Sequence, residues 1–230
     1  MADIADLQAI LGVDFQDIVL LQQSLVHRSY LNENGDLSLP SNERLEFLGD
    51  AVLGFVVADQ IYKEFPELSE GELTKLRSAL VRRETLSRIA LALGLGEYLY
   101  LGRGEEESGG RRRPRNLSCA LEAVIGAIYI DRGLEATTGF INRILRAELE
   151  EAIEDKLISD YKSRLQQYIQ SERKVTPSYR TVEEIGPDHA KLFTVEVLAG
   201  ERVLAQGRGR SKQEAEMDAA RAALDDLRGR

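Results

Sequence analysis

The chain reads as an all-α domain over residues 1–157 followed by a small α+β domain of order α-β-β-β-α over residues 158–230. Three observations predict this division. Apolar residues recur at three- and four-residue spacing throughout the first part, with no alternating stretch that would make a strand. Beyond residue 175 the period changes to two, the signature of half-buried strands. The charge changes as well: residues 158–230 hold 13 Lys+Arg against 12 Asp+Glu, leaving 17 against 27 in residues 1–157 of a chain whose net charge is −9. An acidic first part joined to a near-neutral tail points to two domains with different partners.

With 230 residues and 43% hydrophobic content the chain can bury true cores, which excludes disorder as its main theme. No apolar run approaches the roughly 18 to 20 residues that a membrane span needs, and the start, MADIADLQAILGV, has neither a basic region nor a cleavage pattern. The expectation is a soluble, unexported, cytoplasmic protein with no membrane partner. The single cysteine, Cys119, has no partner for an internal disulfide, in keeping with a reducing compartment.

Residues 7–18 and 20–27 carry helical spacing broken at Gly12 and Asp14, and the Gly/Asn/Asp/Pro stretch 32–41 is a loop. Residues 41–65, SNERLEFLGDAVLGFVVADQIYKEF, form a helix apolar on most sides, interrupted by Glu43, Glu46 and Asp50. Those acids are three and then four residues apart, so at about 3.6 residues per turn they share one face at the entrance of a helix that otherwise reads as buried. Two more helices follow from Glu70, closed by Gly94 and Gly96. Residues 102–116, GRGEEESGGRRRPRN, read as a charged loop, either solvated or turning Arg111, Arg112, Arg113 and Arg115 toward a phosphate. The helix 117–131 is again apolar nearly all round and carries one acid, Glu122, before Asp131; Gly133 ends it, and 134–157 forms a final amphipathic helix.

In the tail, a helix over 161–174 turns Tyr161, Leu165, Tyr168 and Ile169 inward and stops at Thr176-Pro177-Ser178. Strands are expected over 179–185, 192–198 and 203–206, the last two joined by a turn at Ala199-Gly200-Glu201. Ser211 and Glu214 have capping-box spacing before an Ala-rich closing helix. Arg208, Arg210 and Lys212 crowd its start, where backbone N–H groups also favour an anion.

Carboxylates at the edge of a core need a basic partner or a metal. Oxygen-rich clusters suit hard cations such as Mg2+ or Mn2+ and hence phosphoester chemistry, whereas salt bridges from Glu43 and Glu46 to Arg44 or other arginines are the plainer answer. Two histidines, His27 and His189, make no histidine-rich metal cluster, and there is no HExxH or P-loop. Cys119, on an apolar helix without a nearby histidine in sequence, reads as packing rather than as a nucleophile.

NERLEFLGDAVLG, residues 42–54, closely resembles the signature segment of bacterial ribonuclease III, and His27-Arg28-Ser29-Tyr30, residues 71–84, Ser108-Gly109-Gly110 and residues 121–133 resemble further segments of that family in order. The tail resembles the double-stranded-RNA-binding domain usually attached to that nuclease, so the likeness covers nearly the whole chain. It implies an all-α endonuclease domain that forms a homodimer and cuts duplex RNA with Mg2+ (or Mn2+), leaving 5'-phosphate and 3'-hydroxyl ends with a short 3' overhang, in the processing of ribosomal and other RNA. The resemblance assigns metal binding to Glu46, Asp50 and Glu122, catalysis to Asp50 and Glu122, and a supporting role to Glu43. Where the family has an Asp three residues before the later Glu, this chain has Cys119, a poor Mg2+ ligand, which leaves a non-cleaving double-stranded-RNA-binding protein as the alternative. In the tail the implied RNA contacts are Gln166 and Gln167, His189 in the loop 186–189, and Lys212, with Arg208 and Arg210 adding charge beside Gln213, where the family has a second lysine.

Overall fold

The computed structural model describes residues 3–34, 39–187 and 191–228, the side chains of residues 155–160, 173 and 228 excepted. The chain forms two compact units, Met1–Leu149 and Glu150–Arg230. In the first, helices α1 (Ile4–Leu11), α2 (Ile18–Ser24) and α3 (Arg28–Glu33) precede the long α4 (Glu43–Glu64), followed by α5 (Glu70–Val81), α6 (Arg83–Ala92), the short α7 (Arg103–Glu107) and α8 (Pro114–Arg173). The helix α8 is interrupted at Gly133, whose φ of 76° and ψ of −177° are not helical, and it continues into the second unit.

α4 forms where expected, with Leu45, Val52, Leu53, Val56, Val57 and Ile61 buried. Burial of each such side chain contributes about 1.5–3 kcal/mol against leaving it in water. Its start is anchored by Asn42, which is buried: its backbone N–H donates to Val26 O (2.8 Å) and its amide to Ser24 O (3.2 Å), tying α4 to the end of α2. Beyond its acids the helix is buried on one side only. Phe47, Phe55 and Tyr62 are 80%, 58% and 71% exposed and make an apolar stripe along it. Periodicity cannot separate a side chain that faces the core from one that faces open surface when both are aromatic.

The segment 102–116 departs from the expected loop. It folds into α7, a 3-10 turn at Gly110–Arg112, and the first residues of α8. The reason is that its two blocks of charge pair with one another. Arg103 bonds Glu107 at 2.9 Å, Arg111 bonds Glu106 at 2.7 Å, Arg113 pairs with Glu105, and the Asn116 amide donates to Glu105 at 2.8 Å and to Gly110 O at 3.0 Å. Arg111 is further spent on Gly96 O and Leu99 O. The Asp131 carboxylate accepts the backbone N–H groups of Gln16 and Asp17, both at 2.8 Å, which holds the α1–α2 connection against α8.

In the second unit the last part of α8 is followed by strands β1 (Pro177–Ile185), β2 (Leu192–Ala199) and β3 (Arg202–Gly209) and by helix α9 (Lys212–Arg228). The strands form one antiparallel sheet in the order β1-β2-β3. Leu165 and Ile169 of α8 pack with Val197, Ala219, Ala220 and Ala223 in its core. Small alanines on α9 allow the close seating of helix on sheet. Tyr168, expected to point inward, is 39% exposed. The capping box expected at α9 is half formed: Ser211 Oγ accepts the Glu214 N–H at 3.1 Å, but the Glu214 carboxylate reaches past Ser211 to accept the Arg210 N–H at 2.7 Å.

Candidate active site

Two glycines bring the acids together. A Cβ built on Gly49 of α4 would lie 1.7 Å from Glu122 O, and one built on Gly126 of α8 would lie 2.3 Å from Leu45 O, so the two backbones touch where they cross. One turn from that crossing Glu46 projects from α4, and Cys119 and Glu122 project from α8. Ligating atoms of Glu46, Cys119 and Glu122 all lie within 4.8 Å of one another. Asp50 is not part of this trio, but its charge acts on Glu122 and it lines the same cleft. The cleft encloses about 760 Å³ and is walled also by His27, Arg28, Glu43, Glu105, Arg113, Arg115 and Asn116.

The electrostatics follow from crowding. The Glu122 carboxyl is pushed up to about 7, first by burial and then by the charges of Asp50 and Glu46, against a smaller opposing pull from Arg83. The Cys119 thiol is pushed up to about 12 by burial, by its hydrogen bond to Glu46 and by the charges of Glu46 and Glu122, so it is a neutral thiol and not a nucleophile. Glu43 stands apart, its carboxylate accepting from Ser41 Oγ at 2.9 Å and facing Arg28 at 3.7 Å. The plainer expectation for Glu43, a salt bridge to Arg44 or another arginine, is thus met by Arg28. Of Arg111, Arg112, Arg113 and Arg115, the arginines offered to a phosphate by the sequence, Arg113 and Arg115 line the cleft.

Sequence reasoning missed Gly49 and Gly126, because a close approach between two helices is a property of the pair. It missed Glu105 and Asn116 because their segment was read as unstructured. It gave His27 no role, although the side chain lines the cleft.

In the second unit Gln166 and Gln167 are exposed on α8, and Arg208, Arg210 and Lys212 are exposed at the start of α9 and just before it. Lys212 Nζ lies 2.9 Å from Glu184 and 5.7 Å from the Phe193 ring centre, so it already has an anionic neighbour. His189 lies outside the described residues.

Residues 17–149 match a family model described as Ribonuclease-III-like, more than half of the chain. The chain belongs to the ribonuclease III family. Residues 161–227 match the Double-stranded RNA binding motif. Ribonuclease 3 of Dehalococcoides mccartyi is 52% identical over 227 residues, covering 99% of this chain and 96% of that protein. Ribonuclease 3 of a Roseiflexus species is 51% identical over 226 residues, covering 97% and 95%. Among solved structures, the nuclease domain of ribonuclease III from Campylobacter jejuni, described in terms of a flexible region involved in dimer formation, superposes with a TM-score of 0.59 at 39% identity, covering 63% of this chain and 97% of that one. A nuclease unit of the ribonuclease III family joined to a double-stranded RNA binding motif makes this family member an endoribonuclease of double-stranded RNA. Among the described residues no helix is long and apolar enough to cross a membrane.

Proposed function

We propose that residues 1–157 cut duplex RNA with Mg2+, or Mn2+ in its place, held by Glu46, Asp50 and Glu122, while residues 158–230 hold the duplex. The observation that carries this is the meeting of Glu46 and Glu122 with Asp50 beside them in one cleft. The donor set fits a hard dication: carboxylates predominate, the cleft leaves room for retained waters, and burial together with the charges of Asp50 and Glu46, which lift Glu122 to about 7, marks a set short of positive charge. When bound, the metal supplies a water of lowered pKa and offsets charge on the leaving 3' oxygen, giving 5'-phosphate and 3'-hydroxyl ends. The Cys119 thiol, neutral and within 4.8 Å of the Glu46 carboxylate, stands beside the carboxylates as a weak donor. Arg113 and Arg115 offer positive charge at the cleft wall to the RNA phosphates, and Glu43 supports through Arg28.

The working unit in this reading is a homodimer, whose paired cuts leave a short 3' overhang on cytoplasmic substrates such as ribosomal precursor RNA. Phe47 stands exposed beside an apolar hollow formed by Leu20, Leu45, Leu48 and Ile130, a surface suited to a second copy. In the tail, Gln166, Gln167, His189 and Lys212 contact the minor groove and phosphates, assisted by Arg208 and Arg210.

The test is to incubate generic duplex RNA with the purified chain in EDTA, Mg2+ or Mn2+, alongside Glu122→Ala, and to titrate Mn2+ into both by electron paramagnetic resonance. Cutting that needs a metal, and that is lost together with Mn2+ binding in Glu122→Ala, is the expected result. Undiminished Mn2+ binding in that variant would remove Glu122 from the metal set.

A further inference from the structure

His27 stands at the N-terminus of α3 with one ring nitrogen fully engaged. Its Nδ1 lies 3.3 Å from the Ser29 backbone N and 2.7 Å from Ser29 Oγ. A backbone N–H can only donate, so Nδ1 is an acceptor and bears no proton. Ser29 Oγ accepts the Gly102 N–H at 2.9 Å, which leaves the hydroxyl proton free to point at Nδ1 as well. The ring proton of the neutral imidazole therefore sits on Nε2.

The backbone around it is tied on two sides. The His27 N–H donates to Tyr100 O at 3.1 Å, and Val26 O receives the Asn42 N–H at the start of α4. The ring is thus positioned relative to the helix that carries Glu46 and Asp50.

The two acids whose charges act on the ring, Glu105 and Glu43, hold other partners. Glu105 receives Asn116 and Arg113; Glu43 receives Ser41 and faces Arg28. Among the described residues Nε2 has no hydrogen-bond partner, and His27 lines the cleft that holds Glu46, Asp50 and Glu122. Burial, opposed by Glu105 and Glu43 and assisted by Arg28 and Arg113, holds the imidazole below its ordinary value, which keeps the ring neutral.

We propose that His27 is a binding residue for the RNA backbone, an orientationally fixed neutral donor whose Nε2–H bonds an acceptor oxygen of the strand lying in the cleft. The acceptor is a phosphate oxygen or a 2'-hydroxyl. The proposal rests on the cleft being the place where RNA is cut. A neutral donor fits there because it adds no charge that would compete with the carboxylates for their cation.

The experiment is single-turnover cleavage by the full chain, His27→Ala and His27→Gln on three duplexes: unmodified RNA, RNA with 2'-deoxy sugars around the cut, and RNA with neutral methylphosphonates flanking it. Cutting of unmodified duplex by the unaltered chain tests the underlying reading by itself. On that duplex His27→Ala is expected to lose about tenfold in kcat/KM, the scale of one hydrogen bond to the strand, and His27→Gln, which offers an amide donor near the Nε2 position, to recover most of it. On the duplex that lacks the true acceptor, the penalty of His27→Ala should shrink to less than about twofold, and the arm in which it shrinks names the acceptor. A purely structural part for His27 at the start of α3 would keep the full penalty on all three duplexes. That outcome, or no penalty on unmodified RNA while the unaltered chain cuts it, would overturn the proposal.

Discussion

Replacing Gly49 by Ala tests the crossing on which the site depends. The added methyl would sit 1.7 Å from Glu122 O, 2.6 Å from its carbonyl carbon and 2.9 Å from Gly126 N. All three are backbone atoms in helices, so no side chain can swing aside. Restoring an ordinary separation of 3.4 Å requires α4 and α8 to part locally by about 1.7 Å. Overpacking of this kind costs about 1–3 kcal/mol, and parting also loosens Leu45 from Ala123 and Ala127. Against it stands the higher helix propensity of Ala, about 1 kcal/mol. The steric cost wins at Gly49. At Gly54, five residues further along the same helix and on another face, nothing lies within 4 Å of the built Cβ, so only the propensity gain remains. Urea unfolding followed by circular dichroism should therefore move in opposite directions for the two variants, Gly49→Ala destabilised and Gly54→Ala stabilised by up to about 1 kcal/mol. Displacing Glu46 from Glu122 should also lower cleavage by about a hundredfold in Gly49→Ala. If Gly49→Ala unfolds as late as Gly54→Ala and cuts as fast as the unaltered chain, the packing argument fails.

Four further outcomes follow from the geometry. In the metal-free chain Glu122 titrates at about 7 rather than 4.5, so the folded state holds a proton that the unfolded state releases; its contribution to stability is full below about 4.5 and is lost as pH rises through about 7. Melting in EDTA between those limits should fall less steeply with pH for Glu122→Gln, and equal slopes would contradict the shift. Cys119→Asp adds a carboxylate within the trio; with unit charges 4 Å apart interacting by roughly 4 kcal/mol at an effective dielectric of 20, an upper scale, the Mg2+ concentration for half-maximal cleavage should drop by about tenfold or more. An unchanged metal requirement would show that the thiol is no handicap. Phe47→Asp should shift sedimentation toward the monomer while leaving the helical signal intact, since the ring is 80% exposed in a single chain. Lys212→Ala should weaken duplex binding similarly across sequences and flatten the dependence of log affinity on log salt by about 0.7–0.9, a change too small to detect if Glu184 keeps the lysine from phosphate.

Most of the framework was legible because it is local. The spacing of Glu43, Glu46 and Asp50 sets their common face whatever α4 packs against, and the capping pair Ser211 and Glu214 announces the start of α9. What escaped depended on partners distant in sequence. Gly49 and Gly126 look like ordinary helix-weakening residues until the helices are laid across one another. The split between Glu46, inside the trio, and Glu43, turned to Arg28, is not encoded in the spacing; it follows from where α8 crosses α4. The segment 102–116 misled for the opposite reason. Blocks of like charge repel when considered singly, but here the acidic block and the basic block are close enough in sequence to neutralise each other and fold. The exposed aromatic stripe of Phe47, Phe55 and Tyr62 has the composition of a core and the accessibility of a surface, which no single-chain pattern distinguishes.

The break in α8 limits what variation the chain tolerates. Gly12, Gly94 and Gly109 also have positive φ, but with ψ of 36°, 19° and 23° they sit in the left-handed region that an asparagine can enter. Gly133, with φ 76° and ψ −177°, occupies backbone space open in practice to glycine alone. Among homologous sequences position 133 should thus admit no polar stand-in, whereas the other three should drift. A residue with a side chain there would have to straighten α8, swinging Phe140, Ile141 and Leu145 off the core they help to close. A position some eleven residues past Glu122, far from any reacting atom, would then read as invariant for reasons of backbone geometry alone.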